Sequence, residues 1–570
     1  MAFIFATGLM RPATALASLC CLAPLPLLAL SPDEAARPTP PPEPRAADRA
    51  AVRETPDTSG AVKAGQDQIL LPRLSGLAVA PNSETALQLQ QKSQPGVSVE
   101  GFSASEAAAI RKLAQPVLEK PVSLRSLDVL ARKLEGVFRS TGRPFMAVSF
   151  PVQEITSGIV AISIQPARAG QVLIAGNPAF GKGFAATAFR VRPGDELSGS
   201  EILDDLDWIN QNSMRRASIS YADGATPESL DLTLRLTAKK PWRIYGGIDN
   251  QLSENLGNER LFLGFQHGDV FALDHRLTAQ VTSAMNPDDL KGISGIYEIP
   301  LPIRHLVGVS LGYTESSTDT RGFIDQSGKF SRFGLGYRVP LPRWHSIGQE
   351  LRFGLEFRSN DYVFSNSSSQ TVRFFNIETG WKGSLTDSWG LSRVDASLSY
   401  NPGRGTFGAN DQDYIALGAA GAESLVARCE LERTLKLPAE MTLVGKARGQ
   451  WADSELLSSD QLSAGGYNRV RGFDETVGYS STGIVLTLEL QSKFYQPTRA
   501  GAIQALAFVD AAALHRDAAT DAGQLASVGF GFRWRFDDRV SARIDLGIPV
   551  DFPDDLNGDP QVEFAISTSW

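Results

Sequence analysis

Cysteine is nearly missing from this chain. It has three in 570 residues, and two of them, Cys20 and Cys21, sit in the N-terminal apolar stretch. Cys429 is then the single thiol of a processed form, which excludes a disulfide framework and a cysteine zinc site. The scarcity leaves the compartment open, because large exported proteins can do without disulfides. Histidine is scarce too: His267, His275, His305, His345 and His515 are scattered, with no metal-ligand spacing between any two. No His-Glu-x-x-His, Gly-x-Ser-x-Gly or Walker loop occurs, so neither an enzyme class nor a cofactor is indicated. The acid pairs Asp204-Asp205, Asp537-Asp538 and Asp554-Asp555 read as solvated faces or turns. Positive charge is not in excess, with 55 Lys plus Arg against 63 Asp plus Glu, which argues against a general nucleic-acid binder. After the N-terminus no apolar run reaches the roughly 18 residues a spanning helix needs, which excludes a helical membrane protein.

What is there begins with a targeting segment. Ala13 to Leu30 is almost wholly apolar, follows Arg11 and gives way to polar sequence at Ser31, so residues 1–30 read as a secretory signal peptide rather than a membrane helix. Leu19 and Cys20 are poor residues to precede a lipidated cysteine, which weakens a lipoprotein reading. Residues 31–66, with PTPPPEP, have the composition of a disordered linker. Residues 67–95 form a lead-in that turns apolar at "ILLPRLSGLAVA".

Two small units follow, 96–170 and 171–240, each ordered β-α-α-β-β. In the first, Leu127, Leu130, Leu134 and Phe138 fall on one helical face, and the strands "FMAVSFPV" and "GIVAISIQ" close the unit. In the second, Ser198 and Glu201 are spaced as a capping box for a helix over 200–212. Ile202, Leu206 and Ile209 form its apolar face, and "RASISYAD" and "SLDLTLRLTA" close the unit.

From 241 to 570 helical periodicity disappears and alternation of period two replaces it. Leu351, Phe353, Leu355 and Phe357 alternate with Arg352, Gly354, Glu356 and Arg358; Leu486, Leu488 and Leu490 alternate with Thr487, Glu489 and Gln491. A soluble sandwich also alternates, with its apolar face inward. The scale and the often charged second face favour a membrane barrel, whose apolar face meets lipid and whose polar face lines a wet lumen. About 330 residues at roughly 20 per strand and connection give about 16 strands. The chain ends on "VEFAISTSW", with Phe564, Ile566 and Trp570 on one face and a terminal aromatic, as barrel proteins present to their assembly machinery.

One stretch stands apart. "GGYNRVRGF", Gly465 to Phe473, is basic and glycine-rich in an acidic chain, on a long loop near 452–483. Gly465, Gly466 and Gly472 permit sharp turns, and Arg471 offers a planar fork suited to a carboxylate. On the residues alone, the simpler reading is an exposed hairpin whose arginines face water.

The order of several motifs changes that balance. "FPVQEITSGIVAISI", "RVRPGDELSGSEILDDLDWINQNSMRR", "RIYGGIDNQLSENLGNERLFLG", "YEIPLPIRH", "GGYNRVRGF", "ALAFVDAAAL" and "ASVGFGFRW" follow one another over nearly all of 69–570. In this the chain resembles the ShlB/FhaC/HecB family, the outer-membrane transporters (TpsB) of two-partner secretion. The resemblance implies a periplasmic α+β POTRA pair followed by a transmembrane antiparallel β-barrel. It implies that the Val470-Arg471-Gly472-Phe473 tip folds back into the lumen, with Asp510 of "FVDAA" as the partner of Arg471. It also implies export of an unfolded TpsA-like exoprotein received by the POTRA pair through β-augmentation. Leu230–Leu236 or the 200–212 helix could offer the edge or groove, or their apolar residues simply fill the core. The other expected partners are outer-membrane lipid and, during biogenesis, the barrel-assembly machinery. A single chain per barrel, no nucleic acid and no cofactor are expected. A second function stays open, insertion of other barrels into the outer membrane, although members with that role usually carry more POTRA units. The family's N-terminal plug helix has no good counterpart here: only Ala46–Glu54 could be helical.

Overall fold

The computed structural model describes residues 52–54 and 67–570, with breaks at 141–142, 144, 227, 239, 254–255, 319–325, 345, 365–368, 404, 476, 499–500, 516–522, 537–538, 554–555 and 557. The signal segment and most of the linker lie outside the described residues, as do the Asp537-Asp538 and Asp554-Asp555 pairs.

The first small unit is a four-stranded sheet in the order Gly96–Val99, Gly76–Ala80, Ile159–Pro166, Met146–Ser149. Helices Ser83–Lys92, Ala104–Ala114 and Leu124–Ser140 accompany it. Leu127, Leu130, Leu134 and Phe138 enter its core with Leu77, Val79, Ile162 and Ile164. The lead-in read over 67–95 therefore contributes an interior strand. "GLAVA" is buried at every position and parallel to both neighbours, so it shows a continuous apolar run in place of alternation.

The second unit has the order Val52–Glu54, Arg216–Asp223, Ser229–Thr237, Arg168–Ala175, with helices Lys182–Ala188 and Gly199–Asn210. Ser198 caps the second helix by accepting from the Glu201 amide, and Ile202, Leu206 and Ile209 are fully buried beneath it. Val52–Glu54 lies inside the stretch read as disordered, and it is a strand where a helical piece was the alternative. It pairs in parallel with Ile219–Tyr221, because main-chain bonding at a sheet edge does not depend on composition. Phe145 and Ala147, from the first unit, belong to the second unit's core, so the two pack against each other directly.

The rest is a closed antiparallel barrel of 16 strands, counting Tyr495–Thr498 as the continuation of Gly483–Gln491. Strand Trp242–Asp249 closes it against Gln561–Ser569, and the backbones of Ile244 and Trp570 exchange two hydrogen bonds of 2.9 and 3.2 Å. Leu486, Leu488 and Leu490 stand exposed on the outer wall, as do Phe353 and Leu355. Their alternates, Arg352, Glu356, Arg358 and Glu489, face the lumen and pair there. Ile566 and Trp570 are exposed on the outer face of the closing strand, with Phe564 half-buried beside them.

The second unit is fastened to the barrel's near end by charge. Arg215 and Asp274, almost inaccessible, pair at 2.6 Å. Asn212 donates to the Gly268 carbonyl at 2.6 Å. Arg304 reaches Asp205 at 2.8 Å and Arg343 reaches Asp204 at 3.1 Å. Asp204-Asp205 is thus not a solvated face: Asp205 is 1% exposed and receives both Arg190 and Arg304.

Candidate functional site

The connection from Thr442–Ala452 to Gly483–Gln491 does not project from the barrel; its tip sits in the lumen. A short ladder, Leu462–Ser463 with Tyr479–Ser480, forms its stem. Gly466 and Gly472 take left-handed φ values of +103° and +90°, open to glycine at no steric cost. A side chain at Gly465 would meet the Asp474 carbonyl, and one at Gly466 the Glu475 carboxylate.

These turns aim Arg471 at the barrel wall. Its Nε donates to Asp510 Oδ2 at 2.7 Å, its Nη2 to Oδ1 at 3.1 Å and its backbone amide to Oδ2 at 3.2 Å. The guanidinium lies 3.4 Å from the centre of the Phe508 ring, one cation–π contact on the same strand as Asp510. Arg471 is 3% exposed and Asp510 0%. Removing one partner of so buried a pair leaves an uncompensated charge, at a cost of about 3–5 kcal/mol.

Asp510, the partner that the resemblance implied, is only part of the cage. Arg471 Nη1 also donates to Glu489 Oε2 at 2.9 Å and lies 3.6 Å from Asp545. Asp545, fully buried, takes Arg533 at 2.6 Å and Arg543 at 2.8 Å. The Gly472 amide donates to Glu563 at 3.2 Å, on the closing strand. Three guanidinium groups and four carboxylates from five strands and the loop therefore interlock. Glu489, Asp545 and Glu563 were not read as site residues; each occupies an inward position of its alternating strand, the only signal they give.

Phe473 turns the other way, toward the far mouth. It is 2% exposed and packs with Val470, Leu514, Leu525 and edge-on to Phe552, ring centres 6.1 Å apart. Around the loop a charged lumen remains, a space of about 970 Å³ lined by residues such as Arg332, Arg352, Arg448, Glu378 and Asp395. A second loop covers the far end. Helix Asp411–Ile415 sets Tyr414 and Leu417 on Val372, Phe374 and Leu457. Arg358 on the wall bonds Asp460 of the long loop at 2.6 Å. No cluster able to hold a metal ion exists among the described residues.

The strands proposed to receive a cargo look different in three dimensions. Ser229–Thr237 is bonded on both sides, to Arg216–Asp223 and Arg168–Ala175, so it offers no edge. The acidic side of helix Gly199–Asn210 is engaged by Arg304 and Arg343. The outer strands of the first sheet are Gly96–Val99 and Met146–Ser149, and Arg168–Ala175 is outermost in the second.

Comparison with known proteins places these features. Residues 229–534 match the family model described as haemolysin secretion/activation protein ShlB/FhaC/HecB. The outer membrane transporter CdiB-2 of Burkholderia pseudomallei (strain 1026b) is 24% identical over 391 residues, 65% of either chain. The outer membrane transporter CdiB of Escherichia coli O6:K15:H31 (strain 536 / UPEC) is 23% identical over 540 residues, 89% of either chain. Among solved structures, CdiB from Escherichia coli superposes with a TM-score of 0.66 at 18% identity, over 90% of this chain and 93% of that one. CdiB from Acinetobacter baumannii gives 0.56 at 17% identity, over 88% and 90%.

Proposed function

Because the chain belongs to the haemolysin secretion/activation family ShlB/FhaC/HecB and is an outer-membrane β-barrel transporter, we propose that it exports one cognate secreted protein through its lumen. The family's description names secretion and activation, which supports a transport role. The two small units are the periplasmic POTRA pair. They take the cargo unfolded, a strand of it adding to an outer strand of one of their sheets. The barrel stands in the outer membrane with its near end toward the periplasm. Folding of the cargo outside supplies the drive, and no nucleotide is required.

The observation that carries this reading is the seated loop. A passive diffusion pore has no use for an arginine held by three carboxylates inside its channel. A gated conduit does: with Arg471 seated the lumen is obstructed, and release of the tip lets a polypeptide pass. Phe564, Ile566 and Trp570 serve earlier, when the assembly machinery inserts the barrel through its closing strand.

The test is mass spectrometry of culture medium from cells with the gene, without it, and with Arg471→Ala. Loss of one large secreted protein, with the other outer-membrane barrels unchanged, supports a dedicated exporter and names its cargo. An unchanged medium with depleted barrels would replace this reading with an insertion factor.

A further inference from the structure

The outer wall of the barrel is not evenly convex. Across five adjacent strands the register sets Trp381, Ala396, Cys429, Gly449 and Ile484 in one row. Next to it Ala427 lies between Leu398 and Trp451. Small side chains thus form a floor between bulky neighbours, bordering a shallow, open groove of about 690 Å³ on the lipid-facing side. The floor from Ala396 to Gly449 crosses two interstrand gaps, about 10 Å at the usual sheet spacing, with Trp381 and Ile484 bounding its ends. The charged neighbours turn away: Arg428 donates to Gln450 at 2.8 Å on the lumen side.

We propose that this groove binds one acyl chain of a membrane glycerophospholipid. The proposal rests on the barrel's place in a membrane, which puts hydrocarbon against this surface. Lipid tails are as apolar as leucine, so packing and not the hydrophobic effect decides what occupies a concavity there. An unfilled groove forfeits the dispersion contacts of its whole lining. A second copy of the barrel offers a convex wall, which cannot enter a concave one; a chain one methylene wide can. The headgroup end is set by Trp381. Its indole nitrogen donates to Gln349 at 3.2 Å, two residues from the Ile347 end of its strand, beside a periplasmic turn. That is the depth at which amphipathic rings sit in membranes, and the periplasmic leaflet supplies glycerophospholipid.

The groove can be filled without straining the barrel. A Cβ built at Gly449 meets only the Gly483 carbonyl, at 3.9 Å. The full-length protein, extracted in mild detergent, is examined by native mass spectrometry. Expected is one glycerophospholipid mass retained on the monomer, lost in Gly449→Leu and Ala396→Leu, and kept in Ala505→Leu, an exposed outward position elsewhere. Heat-modifiable migration in gels confirms folding, and Ala396→Leu carries the test should Gly449→Leu fail it. Equal lipid retention in the filled variants, or a lipid-free wild-type protein, overturns the proposal. So does a wild-type dimer that the filled variants dissolve, and so does a retained lipopolysaccharide in place of glycerophospholipid.

Discussion

Arg471 and Asp510 are joined by three hydrogen bonds, and one of them comes from the Arg471 backbone amide. Side-chain removal at Arg471 therefore leaves Asp510 only the Arg471 amide and the Thr487 hydroxyl, while removal of Asp510 also strips the loop backbone of its acceptor. If the pair acts as a unit, Arg471→Ala and Asp510→Ala impair export alike, and the double variant is no worse than either. Each single change releases about 3–5 kcal/mol of loop seating. Secretion of the cargo from cells bearing each variant measures this, and strictly additive defects would falsify the pairing as the functional unit.

Gly472 and Gly547 touch through their backbones. A Cβ at Gly472, strained already by φ +90°, would lie 2.8 Å from the Gly547 carbonyl carbon, and a Cβ at Gly547 would collide with the Gly472 amide. Both Gly472→Ala and Gly547→Ala should lift the tip off the wall, at about 1–3 kcal/mol each. Faster trypsin cleavage after Arg469 or Arg471 reports the lifting. Gly308→Ala, whose Cβ meets nothing within 4 Å, serves as the neutral comparison.

The barrel was legible because alternation is local: Leu486, Leu488 and Leu490 announce an outer face in seven residues of sequence. The cage around Arg471 was not. Glu489, Asp545 and Glu563 look like any other lumen-facing acids, and only closure of the barrel, with its particular register, brings them to one point. The strand Gly76–Ala80 escaped for the opposite reason, since burial on both faces erases alternation. Helix Lys182–Ala188 is a short one with a single fully buried residue, Ala185, and no capping side chain, so it left no periodic stripe. Whether a strand is interior or outermost, as with Ser229–Thr237, is a property of sheet order that composition does not carry.

Glu106 gives the first periplasmic unit a defined acid response. Burial pushes its carboxyl up, but the Ser103 hydroxyl and amide and the Arg143 guanidinium outweigh that and hold it below its ordinary 4.5. A depressed carboxylate stabilises the folded state above the unfolded value and loses that contribution as pH falls through the folded one. Helix Ala104–Ala114 should therefore lose amide protection as pH drops below about 4.5, and Glu106→Gln should flatten that dependence. Hydrogen exchange of the full chain, corrected for intrinsic rates, decides it; the same slope in both proteins would rule Glu106 out as its source.

At the junction the two kinds of ion pair should behave differently. Arg215 is 0% exposed and Asp274 5%, whereas Arg343 meets Asp207 where that carboxylate is 48% exposed. Arg215→Ala leaves a buried, unpaired Asp274 and should cost about 3–5 kcal/mol of docking. The exposed Arg343–Asp207 contact is worth at most about 1 kcal/mol and is screened by salt. Raising the salt concentration should thus leave the second unit docked, and Arg215→Ala should free it. Cross-linking between cysteines placed at Gln211 and Asp269 reports docking, since Asn212 already bonds Gly268 at 2.6 Å. If export requires the cargo to pass from this unit straight into the lumen, Arg215→Ala also lowers secretion while barrel abundance holds. Cross-linking that survives Arg215→Ala but fails in high salt would reverse the assignment, making Arg304 and Arg343 the ones that hold the unit in place.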